Sequence, residues 1–156
     1  MWSGHRGSSQ IGLTTGERWV VTSTSVKVVE PGLRVLVVDD DEDVVSFLVD
    51  GLSSYGHDVR GVCTAQEALL ELAAFRPELA IIDISLGWTD GWALAEQIAK
   101  LGLTDPPKLI ALSGFADEHD RERSLAAGFT AHLSKPVRIA KLDAYLRGRG
   151  PEPPDH

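Results

Sequence analysis

Leu33-Arg34-Val35-Leu36-Val37-Val38-Asp39-Asp40 is a short, nearly continuous apolar run that stops on two acids. A run of that length without polar alternation is the pattern of a strand buried on both faces, as in parallel sheets covered by helices. Beyond it the hydrophobic period changes. From Val44 to Tyr55 the apolar residues fall at 44, 45, 48, 49 and 52, which is a helical stripe. His57 to Val62 is a weaker strand candidate. Thr64 opens a second helix, with Glu67 three positions on as its capping-box partner. This helix runs to about Phe75 and stops before Pro77. Leu79-Ala80-Ile81-Ile82 is a third buried strand, and Trp92 to Leu101 a third helix ending at Gly102. Lys108 to Leu112 is the fourth strand. Asp117 to Ala127 is a polar helix with Gly128 just past its end, where a left-handed cap belongs. Phe129 to Leu133 is the fifth strand and Val137 to Leu146 the last helix.

Five strand–helix repeats of this length predict an α/β domain: a parallel sheet with helices on both faces. Right-handed crossovers restrict it to a few doubly wound topologies. The flanks differ. Residues 1–32 are rich in Gly, Ser and Thr and end in Pro31-Gly32, although Trp19-Val20-Val21 and Val26 to Val29 have strand-like composition. The plain reading is a mobile arm; an extra edge strand, a docking segment or a start codon called too early are the alternatives. Residues 33–147 form the domain, and 148–156, containing Gly-Arg-Gly-Pro-Glu-Pro-Pro, read as a short tail.

Composition narrows the classes. The 156 residues are 43% hydrophobic and 24% charged, which suits a globular chain and argues against disorder or a fibrous repeat. A lone cysteine, Cys63, cannot form an internal disulfide, in keeping with a reducing compartment. Nothing approaches the roughly 20 apolar residues of a membrane span. The formal charge of −8 is a poor footprint for binding a polyanion. The expectation is a cytoplasmic protein that neither enters a membrane nor binds nucleic acid directly.

In a doubly wound sheet, ligands bind beyond the carboxyl ends of the strands. After the first run come Asp39, Asp40, Asp41, Glu42 and Asp43; after the third, Asp83; after the fourth, Ser113; after the fifth, Ser134 and Lys135, before Pro136. Acids, a hydroxyl and an amine therefore gather at one edge. Asp41, Glu42 and Asp43 suit the first turn of a helix, where negative charge is favoured. Asp39 and Asp40 terminate the buried strand itself. A carboxylate cluster repels itself by several kcal/mol at an effective dielectric of about 20, and a divalent cation removes that cost. Oxygen-only ligands favour a hard ion, Mg²⁺ being the usual choice. Asp83 then has the surroundings of a nucleophile, with a metal and Lys135 to neutralise an incoming phosphoryl group and Ser113 to donate to one of its oxygens. Taken one at a time, a helix cap, a turn serine and a surface lysine are the duller readings; their shared edge argues against them.

The stretches VLVVDD ending at Asp40, IIDISLGWTDG around Asp83, ALSG with Ser113 and HLSKP with Lys135 together resemble the receiver domain of response regulators in two-component signalling. The spacings of 30 residues from Asp83 to Ser113 and 22 from Ser113 to Lys135 fit as well. The resemblance covers about 115 residues, Leu33 to Leu146. It implies a flavodoxin-like five-stranded sheet of order 2-1-3-4-5. It implies Asp83 as phospho-acceptor, Asp40 binding Mg²⁺ directly, Asp39 binding it through water, and the backbone carbonyl of Ser85 as third protein ligand. Ser113 is similar to the hydroxyl that moves onto the phosphoryl group, and Lys135 to the cation paired with it. The implied partners are a histidine kinase or histidine phosphotransfer protein upstream and a protein target downstream. Such a domain catalyses only its own phosphorylation and dephosphorylation and is no turnover enzyme.

Two positions depart from the family's commonest pattern. Gly87 stands where proline is frequent, and His132 where Tyr or Phe often acts as a rotamer switch; core packing and signalling are both open for His132. Trp92 reads as core, while Trp88 either contacts a partner or folds onto its own helix. Nine residues follow Arg147, so no helix-turn-helix or catalytic output domain is expected in this chain. Two rival readings share parts of the pattern: a receiver-like interaction module that is not phosphorylated, and a Mg²⁺-dependent phosphatase with an aspartyl nucleophile, resembling the haloacid dehalogenase family. That family places its nucleophile after the first strand and its acidic pair late, the reverse of the order here.

Overall fold

The structure, a computed structural model, describes residues 18–22, 25–29, 31–86, 89–114 and 117–149. The chain divides after Gly32 into two compact units. In the first, β1 (Arg18–Thr22) and β2 (Ser25–Val29) pair antiparallel, Arg18 opposite Val29. The strand-like stretches of this segment thus pair with each other in a two-stranded sheet. Residues 1–17 of the expected arm, and 150–156 of the tail, lie outside the described residues.

The second unit alternates strand and helix: β3 (Arg34–Val38), α1 (Glu42–Ser54), β4 (Asp58–Val62), α2 (Ala65–Ala74), β5 (Leu79–Asp83), then a short hairpin of β6 (Ser85–Leu86) and β7 (Thr89–Asp90). It continues with α3 (Gly91–Lys100), β8 (Lys108–Ser113), α4 (Glu118–Ala127), β9 (Phe129–Ser134) and α5 (Ile139–Leu146). The five long strands are all parallel, in the order β4-β3-β5-β8-β9. Counted within this sheet alone, that is 2-1-3-4-5, as expected for a flavodoxin-like doubly wound fold.

Period-2 alternation divides the core. Val35, Val37, Leu79, Ile81, Ile110 and Leu112 pack with Leu48 and Leu52 of α1 and Leu142 of α5. Leu36, Val38, Ala80, Ile82, Leu109 and Ala111 pack on the other face with Ala68 and Leu72 of α2 and Leu94 and Ile98 of α3. With both faces covered, the three central strands can be apolar throughout. β4 is an edge strand and largely exposed, which is why its sequence signal is weak.

The helix ends follow local chemistry. Asp41, Thr64, Asp90 and Asp117 each sit at an N-cap in extended conformation and accept a backbone N–H two or three residues on. Glu67 reaches back to the N–H of Cys63 and the hydroxyl of Thr64, one residue off the expected reciprocal box. Gly128 closes α4 at φ +108°, the left-handed cap its position predicts. The last helix starts later than its apolar pattern, at Ile139, with Arg138 as N-cap.

Candidate functional site

Parallel strands put all their carboxyl ends at one edge, and the strand order reverses between β3 and β5. Asp39 follows β3, Asp83 ends β5, Ser113 ends β8, and Lys135 follows β9. Backbone bonds hold these positions: Ile84 N–H donates to Leu112 carbonyl at 2.9 Å, and Lys135 N–H to Ser113 carbonyl at 2.8 Å. The ladder thereby extends one residue past each strand, to where the reactive side chains begin.

Asp39 and Asp83 are buried, at 1% and 3% exposure, while Asp40 is exposed. One carboxylate oxygen from each of the three lies within 4.8 Å of the others. Lys135 Nζ is 2.9 Å from Asp39 Oδ2 and 3.6 Å from Asp83 Oδ1. Asp39 Oδ1 accepts the N–H of Asp41 at 2.9 Å, and Asp83 Oδ1 that of Ser85 at 3.3 Å. Burial first, and then the Asp39 charge, push the Asp83 carboxyl up to about 6 against the pull of Lys135 and the Ser85 N–H. Burial lowers the Lys135 ammonium, but its bonds to Asp39 and Asp83 outweigh that and raise it overall, so it stays charged.

This donor set fits a hard divalent cation. Its ligands are all oxygen, one ammonium faces several carboxylates, and Asp39 Oδ2 is fully buried and meets, among the described residues, no donor besides the Lys135 ammonium at 2.9 Å. A cation at that oxygen would satisfy a lone pair that the protein's own donors leave open. Ser85, the expected carbonyl ligand, lies at the start of the β6–β7 hairpin, directly beyond Asp83.

Gly91 explains how the hairpin can fold back so tightly. A Cβ there would lie 2.6 Å from the Asp83 carbonyl oxygen and 3.0 Å from Ile84 Cα, while the Gly91 N–H donates to Ile84 carbonyl at 2.7 Å. Only glycine lets the start of α3 abut the backbone at the end of β5.

The sequence-predicted residues Asp39, Asp40, Asp83 and Lys135 are thus brought together, with Ser113 at the end of the neighbouring strand. Gly87 and Trp88 lie outside the described residues. Trp92 is half-buried and not wholly core: it packs against the core while its indole N–H donates to Ser124 Oγ at 3.0 Å and Arg123 stacks 4.0 Å from its ring centroid. His132 is not simply packed either, having polar partners at both ring nitrogens, Ser113 Oγ and Ser124 Oγ. Cys63 follows β4, half-buried; burial, then Glu42, Glu67, Asp39 and Asp40, push its thiol up and keep it protonated.

At the opposite edge of the sheet lies a group that sequence reasoning missed. Leu33 N–H donates to His57 Nδ1 at 3.0 Å, and His57 Nε2 meets Asp143 Oδ1 at 2.7 Å. Arg147 donates to the same carboxylate oxygen at 2.8 Å and to the Tyr55 carbonyl at 2.7 Å. With Nδ1 accepting a backbone N–H, the imidazole proton sits on Nε2 and points at Asp143. The pair is 86 residues apart in sequence, so no local pattern could have revealed it.

A doubly wound α/β fold with an acidic crevice and a lysine at its switch point defines the class of protein: a small α/β domain with a polar site at the carboxyl edge of its sheet. Comparison with known proteins makes the class specific: residues 35–147 match the response regulator receiver domain model, and the chain belongs to that family. It is 37% identical over 114 residues to the KDP operon transcriptional regulatory protein KdpE of Escherichia coli, covering 73% of this chain and 49% of KdpE. It is 36% identical over 110 residues to an uncharacterised 14.6 kDa protein of Leptolyngbya boryana, covering 70% of this chain and 84% of that one. The chain therefore spans about half of KdpE but most of the smaller relative. Among solved structures it is similar to a CheY-like response regulator receiver domain protein of Methanospirillum hungatei, at 30% identity and TM-score 0.68, covering 76% of this chain and 93% of that one. The fold alone also matches Vibrio cholerae CheY4, at 20% identity and TM-score 0.71, covering 75% of this chain and 98% of that one. Among the described residues no helix is long and apolar enough to cross a membrane.

Proposed function

We propose that this domain takes a phosphoryl group from the phosphohistidine of a histidine kinase or histidine phosphotransfer protein onto Asp83, and so switches a protein-binding face. The observation that carries the reading is the placing of Asp39, Asp40 and Asp83 within 4.8 Å of one another, with Lys135 Nζ at 2.9 and 3.6 Å from two of them. A carboxylate oxygen of Asp83 attacks phosphorus in line, the P–N bond to the donor imidazole breaks, and an acyl phosphate forms. Lys135 pairs with the phosphoryl oxygens, and the Ser113 hydroxyl donates to one of them. Asp39, Asp40, Asp83 and the Ser85 carbonyl would hold Mg²⁺, which would neutralise the carboxylates and the incoming charge. The domain works in the cytoplasm and releases its phosphoryl group slowly, without turnover on a separate substrate. Its output is a change in protein binding and not direct contact with nucleic acid.

Incubation with Mg²⁺ and acetyl phosphate, followed by intact mass, tests this. The expected result is a gain of one phosphoryl group that Asp83→Asn abolishes. Steady release of phosphate at high turnover would instead indicate a phosphatase, and an unchanged mass with every donor an unphosphorylated interaction module.

A further inference from the structure

His132, Ser124 and Trp92 form a polar chain that starts at Ser113 and leaves the site. His132 Nε2 lies 3.4 Å from Ser113 Oγ, His132 Nδ1 lies 3.1 Å from Ser124 Oγ, and the Trp92 indole N–H donates to that same Ser124 oxygen at 3.0 Å. Ser113 and Ser124 are buried, at 6% and 1% exposure. The chain links β8, β9, α4 and α3, and Arg123, beside Ser124 on α4, covers the Trp92 ring.

We propose that His132 is a positioning residue for the Ser113 hydroxyl, and that through Ser124 it reports the state of Asp83 at the Trp92 indole. The proposal rests on Asp83 being the phosphoryl acceptor.

With His132 neutral, these groups can be arranged among themselves in two ways. An indole N–H only donates, a serine hydroxyl has one proton, and a neutral imidazole has one N–H and one lone pair. In the first arrangement Ser113 donates to Nε2, and the Nδ1 proton points at Ser124 Oγ, which then accepts twice. In the second, Ser124 donates to Nδ1, the Nε2 proton points at Ser113 Oγ, and the Ser113 proton is directed elsewhere. Phosphoryl oxygens on Asp83 can only accept, so they require the Ser113 proton and select the second arrangement. In the free protein no phosphoryl oxygen draws the Ser113 proton away from His132 Nε2, which favours the first. The exchange moves the imidazole proton from Nδ1 to Nε2 and turns the Ser124 hydroxyl from double acceptor into donor. A hydroxyl that donates is a stronger acceptor in its turn, so the Trp92 N–H bond strengthens when Asp83 is phosphorylated.

The test is NMR on the full chain labelled with ¹⁵N, with Mg²⁺ and acetyl phosphate added and intact mass read on the same sample. Trp92→Phe identifies the Trp92 indole resonance among the four tryptophans. The expected result is a gain of one phosphoryl group, transfer of the His132 proton from Nδ1 to Nε2 in long-range ¹H–¹⁵N spectra, and a downfield move of the Trp92 indole proton. Ser124→Ala is expected to keep the mass gain and lose the Trp92 response. His132→Phe, a second variant in case the buried serine tolerates no change, is expected to lose that response too. A wild-type chain that gains the mass while His132 and Trp92 stay unmoved overturns the relay and leaves the acceptor reading standing. So does a Trp92 response that survives in both variants. No mass gain in the wild type overturns the acceptor reading and the relay with it.

Discussion

Asp83 is held in a state that its own surroundings oppose. Folding raises its carboxyl from the ordinary range to about 6, chiefly by burial. Between about pH 4 and pH 6 the folded chain therefore keeps a proton that the unfolded chain has lost, and stability falls as pH rises through that window. A rise of that size corresponds to roughly 3 kcal/mol once the pH is above both values. Asp83→Asn should accordingly be more stable than the wild type at pH 7 without divalent cations, by up to about 3 kcal/mol in urea unfolding. The gain should disappear below about pH 4. Addition of Mg²⁺ should narrow it by stabilising the wild type selectively. A variant no more stable than wild type at pH 7 would show that folding does not raise the Asp83 carboxyl.

The regular elements were readable because each carries its own signal. Three central strands are apolar on both faces, and four helices open on a side-chain cap that a single residue announces. The acid pair, Asp83 and Lys135 were legible because strand ends in a parallel sheet converge whatever the loops do. The β6–β7 hairpin was not, since two-residue strands show no period. Trp92 was read as core because helical spacing reports a face and not the fate of a ring nitrogen. Gly91 stands in the sequence only as the last residue of IIDISLGWTDG, yet the hairpin depends on it. Gly91→Ala would drive a methyl group into the Asp83 carbonyl, a backbone atom that cannot rotate away. The expected cost is about 1–3 kcal/mol of stability, as for other overpacked sites. Phosphoryl acceptance should be slowed beyond what that loss explains, measured by intact mass under conditions where the variant is fully folded.

Across the receiver unit, the two edges of the sheet have opposite electrostatic characters. The carboxyl edge concentrates like charge for chemistry, whereas the amino edge neutralises it for stability. Burial would raise Asp143, but Arg147 and His57 more than offset this and hold its carboxyl below the ordinary range. That contribution is present above the usual carboxylate pKa and is lost as pH falls through the lowered one. Asp143→Ala leaves the buried His57 proton without its acceptor and removes one acceptor from the Arg147 guanidinium. It should cost about 2–4 kcal/mol in thermal or urea unfolding, while phosphoryl acceptance at Asp83, measured on folded protein, stays unchanged. Slowed acceptance in that variant would mean that the two edges communicate through the sheet. The long-range pairing behind this network is the part of the fold that sequence periodicity conveys least, because partners are chosen by topology and not by neighbours.

Cys63 gives the molecule a practical property. It is the single thiol in 156 residues and stands half-buried after β4, close enough to the acids for them to raise it. Since only the thiolate alkylates, maleimide or nitroxide reagents need mildly alkaline buffer, and no background label competes. A probe attached there sits at the rim of the acidic crevice, where paramagnetic Mn²⁺ or an arriving donor protein would quench or broaden it without any engineered cysteine.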